Sequence, residues 1–193
     1  FLTDAPKSVT ELEGYLFPDT YRIFRDASPE EIVAKMLDNF DRKLTPDFRK
    51  EITRQKKTIF DIVRMASLIE KEVVSDEDRQ IVSGILWKRL RLGIPLQVDA
   101  TVVYAKNQEL RIKNQGDGKV TIEDTKIDSL YNTYKYYGLP PGPIANPGIS
   151  AIRSAIYPQE SEYFYYLSAP DGRTIFSRSL DEHNIAVRKY LTK

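Results

Sequence analysis

The sequence predicts an α+β protein with a mainly helical core, short β-strands and a β-hairpin near its C-terminus. Between residues 28 and 107, apolar residues recur at helical spacing behind residues that commonly cap helices. Residues 131–147 are dense in proline and glycine, which favours an ordered loop. Residues 163–177 contain two β-prone runs around a Pro-Asp-Gly turn, a pattern typical of a hairpin.

Composition narrows the possible functions. The chain of 193 residues has a net charge of +1, and its basic residues are interleaved with acids, which argues against a nucleic-acid partner. Cysteine is absent, so disulfides, thiolate catalysis and cysteine metal sites are excluded. No apolar run is long enough to span a bilayer, and no signal-peptide pattern occurs. Because the first residue is Phe1, we expect a piece of a longer protein.

The elements can be predicted in order along the chain. Residues 10–24 are aromatic and β-prone but are interrupted by Gly14 and Pro18, so short extended pieces are expected. Ser28, Pro29 and Glu31 then form a capping box. Helices are expected from Pro29 to about Lys43, from Pro46, over residues 57–74, and from residues 75–78 to Gly93.

The second half alternates loops with regular elements. Asp99 is a predicted N-cap for a short helix over residues 100–106, and Gly116 to Gly118 is a predicted turn. A helix should start around Pro147 and Ser150 and end by Pro158. The hairpin and the last helix complete the prediction: strands within 163–169 and 174–177, then a helix from the capping box of Ser179 and Glu182 through Tyr190.

The helix predicted over residues 57–74 carries an acid on its apolar face. At about 100° per residue, Glu70 falls among the apolar residues, whereas Lys71 and Glu72 fall outside that arc. A carboxyl held against apolar surface is harder to ionise and can keep a proton at neutral pH, as a general acid must. The alternative is a purely structural glutamate that an arginine from elsewhere neutralises.

The loop over residues 131–147 suits a sugar ligand. Four tyrosines accompany Asn132, Thr133 and Asn146 on a backbone that several prolines stiffen. Pyranose faces lie on aromatic rings, and acetamido and hydroxyl groups require polar partners. Two alternatives remain open: the tyrosines only cover the helical core, and Asn146 only caps the following helix.

Several segments together resemble a known family. They are LEGYLFPDTY at 12–21, MASLIEKE at 65–72, LQVDATVVYA at 96–105, YNTYKYYGLPPGPIANPG at 131–148 and FSRSLDEHN at 176–184. In order and spacing they resemble the bacterial endolytic murein transglycosylases, the YceG-like proteins often called MltG. The resemblance implies one catalytic domain over residues 1–193. Residues 26–193 would form its core, and residues 1–25 would join an upstream LysM-like region.

The resemblance also implies a reaction and a catalytic residue. The chain would cleave the β-1,4 bond between N-acetylmuramic acid and N-acetylglucosamine within a glycan strand and leave a 1,6-anhydro end. Glu70, the first glutamate of EKE, would act as general acid and then as base, as a lysozyme-like enzyme without a second catalytic carboxylate. Substrate-binding roles are expected for a set of polar residues: Glu13, Gln97, Asp99, Asn132, Tyr134 and Asn146. No metal or cofactor is expected.

Location and partners follow from the same resemblance. A membrane helix before Phe1 would anchor the protein in the bacterial cell membrane, with this domain outside the cytoplasm. Its partners would be peptidoglycan strands and the penicillin-binding proteins that synthesise the wall. Two other functions stay open: a noncatalytic glycan-binding scaffold for these synthases, and an ordinary lysozyme-like hydrolase.

Overall fold

A computed structural model describes residues 12–110 and 120–191. It confirms the α+β class, since helices dominate and the described residues contain one two-stranded antiparallel sheet. The helices are α1 (Pro29–Lys43), α2 (Pro46–Arg54), α3 (Ile59–Glu72), α4 (Asp76–Arg91), α5 (Asp99–Leu110), α6 (Ile149–Ile156) and α7 (Leu180–Tyr190). The strands are β1 (Tyr165–Ser168) and β2 (Thr174–Ser177), and Asp124–Lys126 is a short 3-10 turn. No helix in the described ranges is long and apolar enough to cross a membrane.

Local sequence signals set the helix starts. Ser28 and Glu31 form the predicted capping box of α1, and Thr45 caps α2 through the amide of Phe48. Thr58 caps α3, and Ser75 caps α4. Each cap satisfies amide donors that the first turn of a helix leaves unpaired, which explains why these boundaries could be predicted.

Helix α3 lies at the centre of the helical core. Every residue from Ile62 to Ile69 except Arg64 is buried, so this helix is enclosed on nearly all sides by its neighbours. Helices α4 and α6 pack against it, as do α2 and α5. A helix that is apolar around most of its surface is typically a buried helix. Most sides of α3 contact other elements, so a division into one inner and one outer face does not describe its surroundings.

The hairpin and α7 form a second, smaller apolar cluster. Leu167 and Ala169 pack with Ala186 of α7, and Tyr166 and Phe176 of the hairpin pack on the helical core. The strands pair in the register Tyr165 with Ser177 and Ser168 with Thr174. A cleft remains where this cluster meets the helical core.

The strands expected near the N-terminus are absent from its described part. Residues 12–25 form a turn and irregular backbone, with Tyr15 and Phe17 buried in the core. The amides of Gly14 and Leu16 donate to Oδ1 of Asn146, at 2.7 and 3.2 Å. A side chain therefore satisfies amides that a neighbouring strand would otherwise have paired, and the strand prediction was wrong here. Residues 1–11 and the predicted turn at 116–118 lie outside the described residues.

Candidate active site

The cleft has a volume of about 610 Å³, and its two sides differ in polarity. The end of α3, the segment before α5 and the loop after residue 130 supply polar groups. The hairpin and α7 supply aromatic and apolar groups. The lining residues that matter for chemistry are Glu72, Arg89, Gln97, Asp99, Tyr134, Tyr165, Tyr166 and His183.

Glu72 is the last residue of α3 and presents its carboxyl to this cleft. The hydroxyl of Tyr166 donates to its Oε2 at 2.8 Å, and the backbone amide of Ala100 at the start of α5 also donates to it. Burial is the largest influence and raises the pKa of Glu72 to about 7, with the negative charge of Asp99 adding to the rise. The two hydrogen bonds oppose that rise but do not cancel it. This carboxyl can therefore exchange a proton near neutral pH.

Asp99 and Tyr134 form a second acid and tyrosine pair in the cleft. The hydroxyl of Tyr134 donates a hydrogen bond to Oδ1 of Asp99. Burial, and then this bond, raise the pKa of Tyr134, so its hydroxyl stays protonated. Asp99 was predicted to be an N-cap, but it is the first residue of α5, and the carboxyl of Glu72 accepts from the next amide instead.

Gln97 is held by a strained backbone and a buried network. Its φ is +54°, in the left-handed region that favours glycine. Its amide donates to the carbonyl of Thr133 at 3.1 Å, and the amide of Val98 donates to Oγ1 of Thr133 at 3.0 Å. Such strain persists only where the surroundings fix the backbone, and it often marks functional sites. The side-chain oxygen of Gln97 accepts from Arg89 at 2.5 Å.

Glu70 lies elsewhere and has different partners. Its Oε1 is 3.3 Å from Nη2 of Arg79, and its Oε2 accepts from the amide of Gly148 at 3.0 Å. Its side chain is 28% exposed, and it does not line the cleft. The expectation of an apolar environment was wrong, because a guanidinium and an amide face this carboxylate. The arrangement matches the alternative of a glutamate neutralised by an arginine.

Three other predicted residues do not line the cleft. Asn132 is fully buried, and its side-chain amide donates to the carbonyls of Thr125 and Ile127. Asn146 anchors residues 14–16, as described above, rather than capping α6, whose N-cap is Gly148. Glu13 accepts from the hydroxyl of Tyr104 at 2.6 Å. Among the predicted binding residues, the structure therefore brings together Gln97, Asp99 and Tyr134.

Sequence reasoning missed the hairpin side of the cleft. Tyr165 stacks on His183 of α7, with ring centroids 5.3 Å apart and planes at 26°. A run of aromatic residues at 163–166 was visible in the sequence, but only the three-dimensional structure shows which of them face α3. The resulting cleft has two acid and tyrosine pairs, of which Glu72 and Tyr166 join α3 to the hairpin, and a stacked aromatic pair between the hairpin and α7.

The fold and the site together define a class of protein. It is a mainly helical α+β domain whose cleft contains acids and is lined by tyrosines. Residues 2–189 match the sequence profile of the YceG-like family, and the chain belongs to that family. This confirms the resemblance inferred from the motifs.

Relatives and a solved structure support the family assignment. A Bacillus subtilis protein named endolytic murein transglycosylase is 38% identical over 182 residues, which are 94% of this chain and 48% of that protein. A Streptococcus pneumoniae D39 protein of the same name is 33% identical, over 93% of this chain and 32% of that protein. A crystal structure of a YceG-like protein from Listeria monocytogenes has a TM-score of 0.83 and 39% identity, and the match covers 94% of this chain and 57% of that one. The chain thus spans about half or less of the curated relatives that it matches.

Proposed function

We propose that this chain carries the catalytic site of a lytic transglycosylase that cleaves peptidoglycan within its glycan strands. The observation that carries the proposal is the carboxyl of Glu72, which lies in the cleft with its pKa raised to about 7. The names of the Bacillus and Streptococcus relatives support the same reaction class. The bond cleaved would be the β-1,4 link from N-acetylmuramic acid to N-acetylglucosamine.

Glu72 acts in both halves of the proposed reaction. In its protonated form it donates to the departing glycosidic oxygen as the C1–O bond breaks. As a carboxylate it then accepts the proton of the muramoyl C6 hydroxyl, whose oxygen attacks C1 and closes the 1,6-anhydro ring. The proton lost in the first half is regained in the second, and no water is consumed. A pKa near neutral pH suits a group that must both give and take a proton.

The choice of Glu72 departs from the prediction that Glu70 is catalytic. The two carboxyls lie two residues apart at the end of α3, but only Glu72 lines the cleft. Glu70 is committed to Arg79 and to the amide of Gly148, which together tie α3 to α4 and to the start of α6. We therefore assign Glu70 a structural role that holds the end of α3 in position.

Asp99, Tyr134 and Gln97 would stabilise and position the substrate. The negative charge of Asp99 helps to keep the proton on Glu72, and it can stabilise positive charge that develops at C1. The hydroxyl of Tyr134 fixes the Asp99 carboxylate, and the exposed amide of Gln97 is available to an acetamido group. The stacked rings of Tyr165 and His183 offer a face for a pyranose ring.

Location and partners form part of the same proposal. A domain that cleaves peptidoglycan acts outside the cytoplasm, and the family resemblance suggests an upstream membrane anchor. Association with penicillin-binding proteins is proposed on that resemblance alone. The strongest competing function is a noncatalytic glycan-binding module, which the tyrosine-lined cleft would also serve.

The products of the reaction test the proposal. Purified glycan strands are incubated with the chain and analysed by mass spectrometry, with Glu160→Gln, an exposed charge change, as the matched control. Internal fragments with 1,6-anhydromuramic ends from both proteins are the expected result. Reducing ends from hydrolysis would indicate a lysozyme-like hydrolase instead. Intact strands that nevertheless bind to the protein would favour the noncatalytic module.

A further inference from the structure

Arg89 and Gln97 form a hydrogen-bonded pair in the wall of the cleft. Nη2 of Arg89 donates to Oε1 of Gln97 at 2.5 Å. Arg89 is only 5% exposed, and its guanidinium lies 5.4 Å from the ring centroid of Tyr165. Gln97 is exposed, and both residues line the cleft. A buried cation thus contacts a side chain that a ligand in the cleft can reach.

The arginine determines which way round the Gln97 amide lies. An arginine has N–H donors and no acceptor, so the atom of Gln97 that faces it must be the carbonyl oxygen. The reversed amide would bring its NH2 group against the guanidinium, with donors on both sides and no acceptor between them. The hydrogens on Nε2 are therefore directed away from Arg89. The structure shows no hydrogen bond from Nε2 to another described residue, so this donor is open to a ligand.

The backbone of Gln97 holds this side chain in place at a conformational cost. Its φ of +54° lies in the left-handed region. Thr133 fixes the segment, because its carbonyl accepts from the amide of Gln97 and its Oγ1 accepts from the amide of Val98. A glycine would adopt this φ without strain but would have no side-chain amide. A glutamine at a strained position in a cleft indicates that the side chain itself is used.

We propose that Arg89 orients the Gln97 side chain so that Nε2 donates to the acetamido carbonyl of a sugar in the glycan strand. The inference rests on the proposed function, in which the cleft binds N-acetylated sugars. The carbonyl is neutral and has no donor of its own, so an oriented amide N–H suits it. A sugar with only a hydroxyl at C2 lacks this carbonyl. Gln97 is thereby a specificity-determining residue, and Arg89 is a positioning residue that acts through it.

Two neutral tetrasaccharides of equal length test the specificity. Chitotetraose has an acetamido group at C2 of every sugar, and cellotetraose has a hydroxyl there. Binding is measured by calorimetry in the Glu72→Gln background, which prevents turnover. This protein should bind chitotetraose about tenfold more tightly than cellotetraose. Adding Gln97→Glu should abolish that preference, because a carboxylate has no hydrogen to donate. Adding Gln159→Glu, the same change at an exposed residue outside the cleft lining, should preserve it.

The positioning role of Arg89 has a test of its own. Adding Arg89→Gln leaves Gln97 in place but frees its amide to turn, so the preference for chitotetraose should fall to about threefold or less. Adding Arg91→Gln, an exposed charge change on the same helix, should leave the preference unchanged. Thermal unfolding separates these roles from a structural one. Gln97→Glu keeps the shape of the side chain and gives Arg89 a carboxylate partner, so the melting temperature should not fall.

The outcomes separate this inference from the proposed function. A preference that survives Gln97→Glu overturns the recognition of the acetamido group, and one that survives Arg89→Gln overturns the positioning role. Equally weakened binding of both ligands, together with a lower melting temperature of Gln97→Glu, would assign the pair a purely structural role instead. Failure of the background protein to prefer chitotetraose also overturns the inference. Strand cleavage in the product assay would then leave the proposed function standing, whereas intact strands would remove both.

Discussion

The hydroxyl of Tyr166 donates a 2.8 Å hydrogen bond to Oε2 of Glu72 and so joins the hairpin to the end of α3. The bond favours the charged carboxylate, while burial favours the protonated form more strongly. The balance places the pKa of Glu72 at about 7. The hairpin therefore helps to set the proton affinity of the proposed catalytic group as well as covering one wall of the cleft.

Replacing Tyr166 with phenylalanine should raise the pKa of Glu72 further. Loss of the hydroxyl removes one of the two hydrogen bonds that stabilise the carboxylate. The alkaline limb of the activity profile, where Glu72 loses its proton, should move upward by on the order of one pH unit. The check is the pH dependence of strand cleavage. Tyr163→Phe, which changes a hairpin tyrosine stacked on Phe176, is the control and should leave the limb in place.

Protonation of Glu72 should also appear in folding stability. The pKa rises from 4.5 to about 7 on folding, so the folded protein holds this proton more tightly than the unfolded chain. The contribution of the Glu72 proton to folding stability is fully present below pH 4.5 and is lost as the pH rises through about 7. One pKa unit corresponds to about 1.4 kcal/mol, so the free energy of unfolding should fall by about 3 kcal/mol over this pH range.

Denaturant unfolding between pH 4 and pH 8 measures that loss. The stability of the natural chain relative to Glu72→Gln should fall by about 3 kcal/mol across this range, because glutamine cannot ionise. Glu160→Gln supplies the charge-matched surface control. A constant difference between the natural chain and Glu72→Gln would mean that burial does not perturb this carboxyl.

Asn146 should prove to be a structural residue. Its Oδ1 accepts from the amides of both Gly14 and Leu16, so Asn146→Ala leaves two donors without their partner. The free energy of unfolding should drop by about 2 kcal/mol, and hydrogen exchange at these two amides should accelerate. Asn146→Asp keeps an acceptor oxygen and should be milder. Unchanged exchange combined with weaker glycan binding would restore the predicted role in substrate binding.

Local signals made most of the fold predictable. The caps at Ser28, Thr45, Thr58 and Ser75 depend on residues close in sequence, and the hairpin turn depends on Pro170 to Gly172. The irregular conformation of residues 12–17 was not predictable, because its amides are satisfied by a residue 130 or more positions away. A β-prone composition says nothing about such a distant partner.

The candidate site was predicted in part, for a similar reason. Gln97 and Asp99 adjoin a recognisable helix start, and Tyr134 lies in the aromatic loop, so the sequence drew attention to all three. A helical wheel could not show the contacts at the end of α3, because that helix is enclosed by neighbours and Glu72 meets α5 and the hairpin there. Arg79, which neutralises Glu70, comes from the next helix. Such partners are a property of the tertiary fold.

The most direct test of the account compares Glu72→Gln with Glu70→Gln for the initial rate of strand cleavage. Each variant replaces a carboxylate with an amide of the same shape, and thermal unfolding establishes that both are folded. Glu72→Gln should lower the rate by about 10³-fold, because it removes the group that transfers the proton. Glu70→Gln should retain activity within about tenfold, since its loss affects the position of α3 rather than the chemistry. The reverse order, with Glu72→Gln active and Glu70→Gln inactive, would contradict the assignment and restore Glu70 as the catalytic acid.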